Sequence, residues 1–260
     1  MTAASRQPET RALPEAAVTC RGLTRSFGRV GVLRGLDLEL ERGASMALLG
    51  ANGSGKTTLL RLLAGLLRAD GGSSTVLGHP LPSTAVLRRK LGYLGHESWL
   101  YGDLSARENL EFYCRLYGVS DDGSVDSLLE RVGMTRAASR RVRSFSRGMV
   151  QRLSLARTLL HDPELLLLDE PFTGLDRDGV ELLENLVAEQ RTAGTSILMV
   201  THDLTRVSLL ADQAVLLGRG RVAWQGQGND LAPERLEQAW RDTTSSQGGR
   251  AATDGGTQTC

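Results

Sequence analysis

The sequence predicts an α/β fold built on an open, mostly parallel sheet, and three observations predict it. A short apolar run, residues 46–49, enters the glycine-rich stretch GANGSGKTT, which passes into a helical pattern over 59–67. Two further apolar runs, 165–168 and 196–200, end in Asp169-Glu170-Pro171 and Thr201-His202-Asp203. Buried strands that stop at polar residues are what a parallel sheet needs, because such sheets gather ligands at the carboxyl ends of their strands.

Residues 1–15 are polar and contain Pro8 and Pro14, the pattern of a mobile lead-in. Residues 18–23 are strand-like. Leu36, Leu38 and Leu40 alternate with Asp37, Glu39 and Glu41, a period of two that marks a half-buried strand. A turn at Glu41-Arg42-Gly43 leads into the buried strand 45–49. After the first helix, 75–77 and 91–94 form short strands, with a short helix over 85–89 between them. Ser105 followed by Glu108 is a capping box that opens a helix over 106–117. Helices follow at 125–132 and 148–160, so the block 97–160 reads as a helical insertion. A four-leucine strand (165–168), a helix (180–190) and the strand 196–200 come next. Residues 214–217 and 221–225 form a hairpin around Gly218-Arg219-Gly220. A closing helix spans 229–240, and the Gly-, Ser- and Thr-rich remainder, 241–260, lacks the apolar residues to order itself.

Composition narrows the function. Lys+Arg 31 against Asp+Glu 30 gives a net charge of +1, which offers nucleic acid no electrostatic footing. Cys20, Cys114 and Cys260 are far apart and form no C-x-x-C pair, so neither a disulfide framework nor a zinc site is expected. The N-terminal residues lack a signal-peptide core, and no run approaches 18 apolar residues. Lysine occurs only at Lys56 and Lys90, and the first of these lies in the glycine-rich stretch.

That stretch fits G-x-x-x-x-G-K-[ST] through Gly50, Gly55, Lys56 and Thr57. Glycines there let successive N–H groups turn toward phosphate oxygens, and the following helix N-terminus adds partial positive charge. Lys56 can reach the β- and γ-phosphates, and the Thr57 hydroxyl can ligate Mg²⁺. An aspartate at a strand end, Asp169, can hold the same ion, and the next residue, Glu170, can orient or deprotonate an attacking water. Asp-Glu-Pro alone also fits a strand end followed by a turn.

Together these motifs resemble the ATP-binding subunits of ABC transporters, over about residues 17–240. Phe27 is similar to that family's adenine-stacking aromatic, and GANGSGKTT to Walker A, with Gly50, Asn52, Gly53, Ser54, Gly55, Lys56, Thr57 and Thr58 around the phosphates. SFSRGMVQRLSLAR resembles the signature segment, LLLLDEP Walker B with the catalytic glutamate, Thr173-Gly174-Leu175-Asp176 the D-loop, and His202 the switch histidine. The resemblance implies a P-loop NTPase core within 16–240, with an N-terminal antiparallel β subdomain and the helical signature subdomain at 97–160. It implies ATP and Mg²⁺ as cofactors, with Thr57, Asp169 and His96 toward the metal. It also implies head-to-tail pairing of two chains, so that Ser146 and Gly148 reach the γ-phosphate bound by the other chain. Asp176 belongs to the nucleotide-binding set, Glu170 acts as base, and Lys56 and His202 hold the γ-phosphate. The expected partners are a second copy and a separate transmembrane permease, docked near 97–112 at the cytoplasmic face of the membrane, with no nucleic acid.

Two departures stand out. The signature reads Phe145-Ser146-Arg147-Gly148-Met149 in place of a sequence close to LSGGQ. The glutamine expected after the strand 91–94 is replaced by His96. YLGH, ENLEFYCRLYG and HDPELLLLDEPFTGLD resemble the haem exporter of cytochrome c biogenesis; an exporter of drugs, lipids or polysaccharides is the alternative. A soluble ABC ATPase acting on DNA or ribosomes fits less well, since only 89 residues separate Lys56 from Ser146 and no sustained heptads lie between them.

Overall fold

The computed structural model describes residues 16–82, 85–120 and 122–248. Two sheets organise it. In the N-terminal part, β1 (Ala16–Phe27) and β2 (Val30–Glu41) form an antiparallel hairpin. After β3 (Ser45–Gly50) and α1 (Lys56–Leu63), β4 (Gly71–Val76) and β5 (His79–Pro80) extend the hairpin into a four-stranded sheet of order β2-β1-β4-β5. In β2 the predicted alternation is present: Leu36, Leu38 and Leu40 are buried while Asp37, Glu39 and Glu41 face solvent.

The second sheet is completed by β6 (Leu91–Leu94), β7 (Leu165–Asp169), β8 (Ser196–Val200), β9 (Gln213–Gly218) and β10 (Arg221–Gln227), in the order β10-β9-β3-β8-β7-β6. Every pairing from β9 to β6 is parallel, and β10 closes the edge antiparallel. Strand periodicity divides the buried runs between cores. Leu165 and Leu167 join one cluster with α1 and the antiparallel sheet, while Leu166 and Leu168 join the helical subdomain. Each such leucine contributes about 1.5–3 kcal/mol on burial.

The helices on this frame are α2 (Ala85–Arg88), α3 (Ala106–Tyr117), α4 (Ser124–Arg131), α5 (Arg147–Leu159), α6 (Arg177–Thr192), α7 (Leu204–Leu210) and α8 (Pro233–Gly248). The capping box that opens α3 is formed in both directions, Glu108 N–H to Ser105 Oγ at 3.2 Å and Ser105 N–H to Glu108 Oε2 at 2.7 Å. α3, α4 and α5 bury Leu110, Leu129 and Leu153 in one cluster, which they share with one face of β7 and β8 and with α6.

Several elements differ from expectation, among them β5, which lies where a polar connection is expected, and α8, which starts at Pro233 and not at 229. The first helix stops at Leu63, because Gly65 turns left-handed (φ 71°) and Leu66 N–H bonds back to Arg61 O at 2.8 Å. α7 has no counterpart in the sequence reading; it is short, and Asp203 caps it by accepting from Thr205 and Arg206 N–H. The stretch expected to be disordered from 241 onward is helical through Gly248. There the i,i+4 pair Glu237–Arg241 (2.8 Å) and the Thr244 hydroxyl on Trp240 O (2.9 Å) carry α8 forward, since extending a formed helix costs little. The lead-in 1–15 and residues 249–260 lie outside the described residues.

Candidate nucleotide site

The order β3-β8-β7 sets three polar strand ends side by side: Gly50 and its loop, Thr201-His202, and Asp169-Glu170. At the first, glycine is required by space and backbone alike. Gly50 has φ 145°, and a Cβ there would stand 2.5 Å from Leu217 O. Gly55, with φ 109°, would meet Leu33 Cδ2 at 2.8 Å. Asn52 and Gly53 are exposed at the loop tip, Ser54 is buried with an unbonded hydroxyl, and Thr57 and Thr58 are half-buried in the first turn of α1. No side chain caps α1 and no acidic residue occupies its first turn, so its N–H groups stay open to an anion.

Lys56 folds back over the loop, donating to Gly50 O at 2.6 Å and Ala51 O at 3.1 Å. Burial pushes its pKa down, opposed by the charges of Glu170 and Asp169. The ammonium is therefore partly desolvated and faces two carboxylates without pairing directly with either.

Asp169, at the end of β7, is 2% exposed, and neither carboxylate oxygen has a hydrogen-bond partner. His96 Nε2 stands 3.8 Å from its Oδ2. A buried carboxylate left unbonded is costly and calls for a positive ligand. Among the described residues no cluster of three or more His, Cys, Asp or Glu could cage a metal by itself. Asp169 and the Thr57 hydroxyl fit a hard divalent ion whose remaining ligands are phosphate and water, the usual manner of Mg²⁺.

Glu170 is held in a left-handed conformation (φ 51°), with its N–H on Val200 O at 3.1 Å and its carbonyl accepting from Thr173 N–H at 3.1 Å. Such backbone in a non-glycine residue persists only where its surroundings enforce it. Its Oε2 lies 2.9 Å from His202 Nδ1. An ionised carboxylate can only accept, so an ionised Glu170 pairs with the His202 tautomer that carries its proton on Nδ1. The His202 side chain remains 76% exposed, leaving Nε2 to face whatever enters.

A polar cavity of about 290 Å³ opens beside this pair, lined among others by His96, Phe145, Arg147, Gln151, Asp169 and Glu170. Gln151 was not singled out from sequence. Its amide donates to Pro171 O at 2.8 Å, tying α5 to the turn after Glu170. A polar residue one turn inside the helix opened by Ser146 was the available signal.

The other expected site residues are held by their own local contacts. Ser146 is exposed and caps α5, accepting from Met149 N–H at 3.3 Å. A Cβ on Gly148 would lie 3.2 Å from Gly174 O, so the first turn of α5 packs against the turn that precedes α6. Asp176 caps α6 by accepting from Gly179 N–H at 2.9 Å. Phe27 is 47% exposed at the tip of β1, its ring covered on one side by the Arg25 guanidinium at 4.8 Å.

Comparison with known proteins agrees with this geometry. A family model described as ABC transporter matches residues 33–173. The daunorubicin resistance ATP-binding protein of Streptomyces coeruleorubidus is 38% identical over 226 residues, covering 85% of this chain and 72% of that protein. The Nod factor export ATP-binding protein I of Cupriavidus pinatubonensis is 36% identical over 232 residues, covering 86% and 71%. A solved ATP-binding subunit of an ABC transporter superposes with TM-score 0.80 at 28% identity, covering 88% of this chain and 99% of that one. cbiO1 from Clostridium perfringens, part of an ABC transporter complex, superposes with TM-score 0.72 at 26% identity, covering 91% and 96%. The family model, which spans more than half of the chain, and these relatives show that the chain belongs to the ABC transporter family of ATP-binding subunits and is an ATPase.

Proposed function

We propose that two copies of this chain close head to tail around ATP and drive a separate membrane permease. The observation that carries this reading is an exposed helix mouth beside the gathered strand ends. Lys56, Asp169, Glu170 and His202 gather at three adjacent strand ends, while the Ser146 hydroxyl lies exposed at the mouth of α5. A second chain is the natural source of a partner for that open helix mouth.

In the closed pair, the α1 N-terminus and Lys56 hold the β- and γ-phosphates, and Phe27 offers its free face to the adenine. Thr57 and Asp169 would hold Mg²⁺, which when bound neutralises phosphate charge, with His96 alongside. Glu170 takes the proton of the attacking water, with His202 fixing the carboxylate and presenting Nε2 to the γ-phosphate. Ser146 and Gly148 complete the opposite wall, and Asp176 keeps α6 and the D-loop in place beside them. Loss of the γ-phosphate removes the group that bridges the two chains.

A complementation experiment tests the shared site. Lys56→Ala and Ser146→Arg chains are each expected to be inactive alone. Mixed in equal amounts, they form pairs with one intact site, and about a quarter of wild-type ATPase activity should return, as for statistical pairing across a two-fold interface. No recovery means that one chain supplies the whole site.

No described helix is long and apolar enough to cross a membrane. The expected docking segment instead offers half-exposed aromatics: Trp99 is 38% exposed and Tyr101 50%, close to Leu66 at 47%. Trp99, Leu66 and Leu67 share a groove of about 210 Å³ with Arg61 and Glu97, suited to a cytoplasmic helix of a permease. Relatives named for daunorubicin resistance, linearmycin resistance and Nod factor export support an exporter. Haem export in cytochrome c biogenesis is the second reading, favoured by the text around His96 and by HDPELLLLDEPFTGLD. Deleting the gene separates them: loss of c-type cytochromes supports haem export, whereas intact cytochromes with increased sensitivity to an amphiphilic antibiotic support the first.

A further inference from the structure

Arg157, on α5, is a buried cation that the ATPase chemistry does not use. It is 3% exposed, and no carboxylate pairs with it among the described residues. Its Nη2 donates to Tyr93 O at 2.9 Å and to Thr158 Oγ1 at 3.3 Å, while its Nε has no hydrogen-bond partner. The remaining stabilisation comes from two aromatic faces, Trp99 at 5.2 Å and Tyr113 at 5.5 Å. A buried charge without a counter-ion is tolerated only where such groups surround it.

Those groups belong to different parts of the site. Tyr93 is at the end of β6, three residues before His96, which faces Asp169. Trp99 lies three residues after His96, in left-handed backbone (φ 52°), and packs on Tyr93 at 5.4 Å. The Tyr113 hydroxyl donates to Trp99 O. Arg157 itself rides on the helix that begins at Ser146 and reaches Pro171 through Gln151. A carboxylate partner would lock this joint by direction, whereas a ring face lets the guanidinium slide while staying attractive.

We propose that Arg157 is a positioning residue that carries nucleotide occupancy to the exposed groove: its guanidinium couples α5 to the Trp99 loop, so that closure around ATP shifts Trp99. The inference rests on the nucleotide reading given above. It assigns the coupling to a guanidinium clamped between rings, with His96 in the moving loop.

Tryptophan fluorescence tests it. The chain contains three tryptophans, Trp99, Trp224 and Trp240. In a Trp224→Phe, Trp240→Phe background, the β,γ-imido analogue of ATP is expected to change Trp99 emission, and calorimetry measures binding in the same sample. Arg157→Met should abolish the emission change while leaving affinity within about threefold, and Arg157→Lys should restore part of it. A mere space-filler would be served as well by methionine as by lysine, so equal responses from the two variants overturn the proposal. Binding without a Trp99 response overturns the coupling alone; no binding removes the nucleotide reading and the coupling with it. If Arg157→Met does not fold, Trp99→Leu enters the joint from its exposed side. It should lower kcat about tenfold with the KM for ATP little changed, and an unchanged kcat overturns the proposal.

Discussion

Glu170→Gln is expected to lower steady-state ATP hydrolysis by about 10²–10⁴-fold, the usual contribution of a positioned general base. The geometry makes the substitution a clean one. Glutamine has the shape of glutamate, and the left-handed backbone is set by the Val200 and Thr173 hydrogen bonds rather than by the carboxylate. What disappears is the ability to accept a proton from water. His202 loses a charged partner at 2.9 Å but keeps a neutral one. Nucleotide binding should therefore survive, and the ATP-bound pair should persist because its bridging phosphate is not removed. The checks are single-turnover hydrolysis of labelled ATP and sedimentation with ATP present. Hydrolysis at the wild-type rate would take the base role away from Glu170.

Lys56→Ala is expected to weaken ATP binding by roughly 2–5 kcal/mol, the range for removing one partner of a buried charged contact, or about thirty- to several-thousand-fold in Kd. The resting arrangement says why the effect should be large. Burial already disfavours the ammonium, and it satisfies itself on two loop carbonyls, Gly50 O and Ala51 O. A phosphate offers that half-desolvated charge a full counter-charge, so the gain exceeds that of an exposed lysine. Alanine also leaves the two carbonyls without their donor. Equilibrium binding of a fluorescent ATP analogue measures the change, and an unaltered Kd would remove Lys56 from the phosphate site.

The individual candidate residues were legible because nucleotide chemistry demands rigid local patterns. Gly50 and Gly55 read as phosphate-loop glycines, and the contacts a Cβ would make there give the reason. Asp169 and Glu170 were legible from their place after four leucines, and the structure adds that Asp169 is buried without a partner. The capping box at Ser105 and Glu108 fixed the start of α3 to the residue. Less legible were elements whose ends depend on side chains bonding locally. α7 rests on Asp203, which reads equally as the polar end of a strand. The continuation of α8 rests on pairs such as Glu237–Arg241 in a stretch whose composition suggests no order.

Sequence by itself determined the fold class, the phosphate loop, the buried strands with their polar ends and the helical block. Each of these follows from periodicity or from spacing within a few residues. Only the tertiary structure decided that β8 inserts between β3 and β7. That order brings His202 to Glu170 across 32 residues of chain, and it sets Asp169 within 3.8 Å of His96 Nε2. It also decided that Arg157, an unremarkable arginine in a helical pattern, is clamped between Trp99 and Tyr113. Strand order and ring-to-cation packing are settled by which surfaces exclude water together, and contacts so distant along the chain leave no mark in local periodicity.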